Sequence, residues 1–220
     1  MTTGDLGGPD RERALASYRA QAAGYDATYR YSSRIRLAAV ELLALREGET
    51  VFDVACGTGN LFGALAGRVG IAGRVVGIEF SAEMAVIAAG RVASHGMANV
   101  ELVQADAESA RTDRLADALL FCYTQDVLQS PAALENLFSM AKPGARVVVA
   151  GSKLLARWWS GPIDALTRFR IRKYMTTFRG LDRPWAPLER FCPGIAVVRT
   201  FNFGTSYLAV GTCSGSRMNP

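Results

Sequence analysis

From Thr50 onward, short apolar runs rich in Val and Ile alternate with stretches whose apolar residues recur every three or four positions. The runs are VFDVAC, RVVGIEF, VELVQAD, DALLFCY and RVVVAGS, and near-continuous hydrophobicity over so few residues suits a strand buried on both faces. Helices are expected between them, over 61–68, over 81–94 and after Ser130-Pro131, where a serine cap followed by proline marks a helix start. The segment KPGARVVVAG reads as a helix end, a tight turn and a buried strand. After Gly151 the rhythm breaks into a longer helical stretch over 153–178, and IAVVRTF and TSYLAVGT, separated by NFG, then form a hairpin. Ahead of the first strand, Leu15, Tyr18, Ala22 and Tyr25 fall on one face of a helix, and a second helix is expected over 35–45.

Strands alternating with helices mean an α/β fold: a Rossmann-like, mostly parallel sheet with helices on both faces and a C-terminal antiparallel hairpin. The expected organisation is a tail over 1–10 and one domain over 11–213, followed by a short tail over 214–220. Within the domain, 11–48 form a helical cap and 153–180 a late helical insertion.

Composition narrows the class. With 220 residues, 50% of them hydrophobic and 20% charged, the chain is neither disordered nor a polytopic membrane protein. The opening MTTGDLGGPDRER lacks the basic-then-apolar order of a secretion signal, so a cytoplasmic location is expected. Cys56, Cys122, Cys192 and Cys213 are irregularly spaced without a CxxC, which points to free thiols and to no metal site. A net charge of +5 invites a nucleic-acid reading, but the basic residues are thinly spread except over 168–183, and no nucleic-acid partner is expected. His95, the single histidine, reads as the end of a surface helix, which leaves little room for imidazole chemistry.

The chemistry concentrates in VFDVACGTGN, Val51 to Asn60, an apolar strand leading through a glycine-rich turn into a helix. Gly57 and Gly59 allow close backbone approach by a ligand, yet Phe62 stands where a dinucleotide fingerprint needs its third glycine. Asp53, inside the strand, would favour an ammonium-bearing ligand and oppose a pyrophosphate. Twenty residues after Gly59, the second strand ends in Glu79, placed to accept both hydroxyls of a ribose. Phe80 and Met84 can cover an adenine ring, and Asp106, ending the third strand, can accept from its exocyclic amine.

These motifs resemble the class I S-adenosylmethionine-dependent methyltransferases, and within them the branch typified by quinone-biosynthesis C-methyltransferases, over roughly 18–212. The resemblance implies a seven-stranded sheet with a reversed last strand and S-adenosyl-L-methionine as cofactor. It also implies a cofactor site built from Asp53, Ala55, Cys56, Gly57 and Gly59, then Glu79, Phe80 and Met84, then Asp106, Ala107 and Tyr123. Cys56 is expected to support the turn rather than act as a nucleophile. Tyr25-Asp26 and Arg34 resemble the segment that closes over cofactor and acceptor.

The acceptor is read as a small molecule: an amine, a phenol or an activated carbon, since an alcohol would need a histidine base or a metal. Tyr25 and Gln125 are the candidates for catalytic contact, with Tyr123, Thr124 and Asp126 beside Gln125 just past the fourth strand. Tyr25 also fits an aromatic core stripe with Tyr18 and Tyr29. Over 158–179, Trp158, Trp159, Phe169, Tyr174 and Phe178 are interleaved with Arg168, Arg170, Arg172, Lys173 and Arg179; a solvated basic helix is the leading reading, ahead of a surface for lipid, RNA or a partner. Two alternatives stay open: a protein of this fold that binds without methylating, and a methyltransferase for a lipid-like acceptor at a membrane surface.

Overall fold

The computed structural model describes residues 25–172, 175 and 177–214, with side chains from Ser32 onward. The expectations for Leu15, Tyr18 and Ala22 and for the terminal tails lie outside these residues, as do those for the side chains of Tyr25 and Tyr29.

Five parallel strands form the centre: β1 (Thr50–Val54), β2 (Arg74–Glu79), β3 (Val100–Gln104), β4 (Ala116–Cys122) and β5 (Ala141–Ser152). Two more, β6 (Ala196–Phe201) and β7 (Ser206–Thr212), complete a seven-stranded sheet in the order β3-β2-β1-β4-β5-β7-β6. β7 runs antiparallel to both β5 and β6, as the hairpin reading requires. The order reverses between β1 and β4, the point at which open α/β sheets leave a crevice beyond the strands' carboxyl ends.

Side chains alternate strictly across the sheet. Phe52, Val54, Ile78, Leu119, Phe121, Val147 and Val149 pack into one core layer. Val51, Val75, Ala118, Leu120, Val148 and Ala150 pack into the other. Both faces are therefore buried, which is why these strands read as unbroken apolar runs.

The helices are α1 (Tyr25–Leu42), α2 (Phe62–Val69), α3 (Ala82–Ser94), α4 (Gln125–Leu128), α5 (Pro131–Ser139) and α6 (Gly161–Ile171). Ser81 and Ser130 cap α3 and α5 by accepting from the backbone N–H groups of Met84 and Ala133. α1 is one helix of 18 residues where the sequence pattern suggested a break before residue 35. Neither glycine nor proline interrupts it, and Ile35, Ala38 and Ala39 bring its face onto the sheet.

Two other expectations change. Lys142, Pro143 and Gly144 belong to β5, a strand of 12 residues whose register with β4 shifts between Ala116 and Ala118. A proline is tolerated at such an irregularity because the ladder is already interrupted there. Among the described residues the helical stretch expected over 153–178 shrinks to the 11 residues of α6. Before it, residues 153–159 form an irregular strap, held because Asp164 accepts from the backbone N–H of Leu155 at 2.8 Å and of Ala156 at 3.1 Å. Among the described residues no helix is long and apolar enough to cross a membrane.

Candidate functional site

The chain leaves β1 through three residues of positive φ, Ala55 at 50°, Gly57 at 59° and Gly59 at 72°. That sequence of left-handed turns swings the backbone away from the sheet and into α2, and only glycine adopts it without strain. The loop is tied down on both sides. Cys56 donates its N–H to the carbonyl of Ile78 at 3.0 Å, and Arg91, on α3, donates from Nε to the carbonyl of Thr58 at 3.0 Å.

Glu79 closes the loop against β2. Its Oε2 accepts from the Gly57 N–H and its Oε1 from the Ser81 N–H, both at 2.8 Å. Each oxygen keeps further acceptor capacity. Burial raises the Glu79 pKa, while hydrogen bonds from the Ser81, Gly57 and Phe80 backbone partly oppose that shift. A buried carboxylate in this state fits a ligand that brings additional donors, as a ribose does.

Asp53 is buried in the middle of β1, opposite Gly77 and Leu120. Desolvation pushes its pKa up to about 7; Arg36 lowers it and Glu79 adds to the rise. Arg36 was not singled out in the sequence, where Arg34 drew attention instead. Arg34 is exposed on α1, whereas Arg36 turns inward, its guanidinium 4.8 Å from the Tyr123 ring centre and 3.8 Å from the Cys122 Sγ.

A carboxyl that protonates more readily folded than unfolded contributes stability below its unfolded pKa of about 4, and that stability is lost as pH rises through about 7. Stability, and with it the melting temperature, is therefore expected to fall across that window, with Asp53 contributing on the order of 4 kcal/mol to the loss. Asp53→Asn should flatten the fall, and thermal melts of the two proteins across pH would show it; parallel slopes would sink the assignment. A ligand ammonium near the carboxylate would reverse the trend, so S-adenosylmethionine affinity should rise with pH over the same interval.

The remaining cofactor-side residues take distinct positions. Met84 is buried in the core beneath α3, while Phe80 remains 38% exposed and presents the open apolar surface of the pair. Asp106 is half-buried two residues beyond β3; its Oδ1 accepts from the Glu108 N–H at 3.0 Å. Ala107 is buried beside it, and Asn136 on α5 donates to the carbonyls of Ala107 at 2.9 Å and Ala110 at 3.0 Å. Asn136 thus sets the 106–110 turn from 29 residues away, a long-range contact that local sequence spacing does not reveal. Cys56 lies half-buried, and burial with the neighbouring Asp53 and Glu79 carboxylates pushes its thiol well above the ordinary range. A thiol held protonated in this way is a poor nucleophile. His95 ends α3 at the surface, its Nδ1 3.0 Å from the Arg91 carbonyl.

Beyond β4, Tyr123 adopts a left-handed φ of 62° and donates its N–H to the Ala150 carbonyl at 2.7 Å. This places its ring beneath Arg36. The Thr124 hydroxyl that follows is buried and has no hydrogen-bond partner among the described residues, a state that a bound polar molecule would relieve. Gln125 is buried as well, and its Nε2 donates to the Arg179 carbonyl at 3.1 Å. The structure therefore gathers Asp53, Glu79 and the glycine loop around the carboxyl ends of β1 and β2, with Tyr123 to Gln125 at the neighbouring end of β4. The Tyr25 side chain lies outside the described residues.

A loop of left-handed glycines, a buried carboxylate with spare acceptor capacity and a second carboxyl in need of a cation suit a nucleoside that carries an amino acid. A family model described as a methyltransferase domain matches residues 45–166. The chain is 36% identical over 113 residues to a 2-phytyl-1,4-naphtoquinone methyltransferase of Thermosynechococcus vestitus, covering 50% of this chain and 49% of that protein. It is 33% identical over 113 residues to the ubiquinone/menaquinone biosynthesis C-methyltransferase UbiE of Pseudomonas putida, covering 50% and 44%. The chain thus spans about half the length of the curated relatives it matches. Among solved structures, a SAM dependent methyltransferase from Aquifex aeolicus shares 25% identity at a TM-score of 0.55, over 77% of this chain and 84% of that one. The N-methyltransferase NodS from Bradyrhizobium japonicum, in complex with S-adenosyl-L-homocysteine, shares the fold at a TM-score of 0.66 with 15% identity, over 91% and 98%. The chain belongs to the methyltransferase domain family, and within it resembles the quinone-biosynthesis C-methyltransferases.

Proposed function

We propose that the protein transfers a methyl group from S-adenosylmethionine to a small organic acceptor, with an activated carbon of a quinol-like ring as the favoured acceptor atom. The observation that carries the cofactor half is the Glu79 carboxylate held at 2.8 Å by the Gly57 N–H, which joins the glycine loop to the ribose-binding position. The acceptor half is supported by the names of the relatives, both quinone methyltransferases, and by the absence of any imidazole at the site among the described residues.

When bound, S-adenosylmethionine supplies an electrophilic methyl group on a sulfonium. The protein's part is to hold and desolvate. Gly57 and Gly59 admit the ligand close to the backbone, Glu79 orients the sugar, and Asp53 accepts the ammonium. Methylation at carbon needs an electron-rich ring, and the Arg36 guanidinium near Tyr123 favours the anionic form of a phenol brought to the β4 end. Thr124, buried without a partner among the described residues, is the side chain whose hydroxyl can meet an acceptor oxygen. Gln125 acts as a positioning residue, because its amide is engaged by the Arg179 carbonyl and fixes the end of the 153–180 insertion over the site.

Incubation with methyl-labelled S-adenosylmethionine and a panel of quinols, phenols and amines tests the proposal; tight cofactor binding without transfer to any of them would favour the binding-protein alternative. Thr124→Val is expected to raise KM for the acceptor several-fold. Gln125→Ala should lower kcat and raise KM together by releasing the insertion. In both variants the cofactor affinity should stay within about threefold, as it does when a lost interaction is confined to the acceptor side. A larger drop in cofactor affinity would move these residues to the other half of the site.

A further inference from the structure

Helix α6 is amphipathic in the inverted sense. Its inward side consists of Asp164, Thr167 and Ile171, two of them polar. Its solvent side is Pro162, Ala165, Leu166 and Phe169, an apolar stripe at the spacing i, i+3, i+4, i+7, with Leu166 59% and Phe169 60% exposed. On a helical projection Arg170 flanks this stripe on one side, and Arg168 and Arg172 flank it on the other. The one acid of the helix, Asp164, accepts from Leu155, Ala156 and Ser160 and also attracts Arg168, so three arginines against a single carboxylate leave the rim of the stripe positive.

Two further aromatic side chains are exposed on neighbouring segments. Trp158, at the end of the strap that leads into α6, is 96% exposed. Phe203, at the tip of the β6–β7 hairpin, is 97% exposed and held in a left-handed conformation with φ of 56°. The strap and the hairpin tip are joined, since Lys153 donates its N–H to the Thr205 carbonyl at 2.8 Å. Both elements sit at the end of the sheet where β5 emerges and β7 begins, the edge on which the cofactor loop also lies.

We propose that α6, Trp158 and Phe203 form a docking face for an anionic lipid bilayer. An apolar stripe between rows of arginine is the arrangement of a helix lying in the headgroup region, where the apolar side enters the acyl boundary and the guanidinium groups meet lipid phosphates. Tryptophan suits that boundary, being apolar in its body and able to donate at its edge. The aliphatic centre of the stripe favours a bilayer over RNA, because Leu166, Ala165 and Pro162 offer no aromatic face for a base to stack on. The inference does not depend on methyl transfer. With the proposed function, it brings a lipid-soluble acceptor to the edge of the site.

The test is cosedimentation of the whole chain with phosphatidylcholine vesicles, with and without phosphatidylglycerol, at low and high salt. Binding is expected only with phosphatidylglycerol, weakened by salt and accompanied by a blue shift of tryptophan emission. Arg168→Glu with Arg170→Glu should weaken it by more than about twentyfold, since each cation near such a surface contributes about fivefold. Trp158→Ser with Phe203→Ser should weaken it by about tenfold or more. All four residues are exposed, and circular dichroism would confirm that both variants fold. The proposal is overturned by equal binding to both vesicle types, by variants that bind as well as the parent, by preference for single-stranded RNA over vesicles, or by a dimer that Trp158→Ser dissociates in a protein that ignores vesicles.

Discussion

Glu79→Ala is expected to lower S-adenosylmethionine affinity by about a hundredfold or more. A hydrogen bond from a hydroxyl to a buried carboxylate contributes about 1.5 to 3 kcal/mol, and a ribose offers two, whereas a hundredfold in affinity is about 2.8 kcal/mol. The structure adds a second consequence. The same carboxylate accepts from the Gly57 and Ser81 N–H groups, so its removal leaves two buried donors unpaired at a cost of about 1 to 3 kcal/mol each. Gly57 would then lose the contact that keeps the loop closed on β2, and the empty protein should melt several degrees lower. Glu79→Gln separates the two effects. Its carbonyl oxygen can still accept one of the two N–H groups, but it carries no charge and turns an amide N–H₂ toward the other. It should recover part of the stability and little of the affinity. Calorimetric titration on folded protein, checked by circular dichroism, measures both; affinity within threefold of the parent in folded Glu79→Ala would falsify the ribose role.

The legible parts of this protein are those set by local periodicity. β1, β2, β4 and β5 could be read because strands buried on both faces leave unbroken apolar runs, the half-buried edge strand β3 because Val100, Leu102 and Val103 still mark it as apolar between helices, and α3 and α5 because Ser81 and Ser130 announce them. The glycine loop and Glu79 were legible for the same reason, since their separation along the chain is fixed by one helix and one strand. The extent of α6 was misread: interleaved aromatics and arginines look helical from 153 onward, although the Ser160-Gly161-Pro162 start signal is present. Positions set by tertiary contact left no local trace. Arg36 reaches Cys122 across 86 residues and Gln125 reaches Arg179 across 54. Nothing in either neighbourhood distinguishes these side chains from Arg34 or Gln129. The outward face of α6 could have been found by counting, because Pro162, Ala165, Leu166 and Phe169 are in helical register, but direction along a helix needs a partner to define it.

Phe62 explains why the loop departs from a dinucleotide fingerprint, and it carries a prediction that depends on the pair rather than on either residue. In the fingerprint a glycine early in the helix lets helix and strand approach. Here a phenylalanine occupies that place, fully buried, and the missing side chains lie opposite it. A Cβ at Gly77 would stand 2.4 Å from the Phe62 Cζ and 3.1 Å from the Cys56 Sγ, and one at Gly59 would stand 2.6 Å from the Phe62 Cδ2. The ring thus rests on two glycines, and close packing has moved from the helix to the strand and the loop. Gly77→Ala should therefore destabilise by about 1 to 3 kcal/mol through overpacking, because the ring is enclosed and has no space to turn into. Phe62→Ala should cost about 3 to 5 kcal/mol by leaving a cavity. Together they should cost less than the sum by at least about 1 kcal/mol, since the new methyl group enters space the ring has vacated. Urea unfolding of the four proteins closes the cycle, and strict additivity would show that the ring does not rest on Gly77. Wedged against the enclosed ring, the new methyl group also crowds the Cys56 Sγ at 3.1 Å, at the base of the cofactor loop, so Gly77→Ala should weaken S-adenosylmethionine binding although residue 77 lies beneath the site, and Phe62→Leu in the same protein should restore part of that affinity by giving the methyl group room.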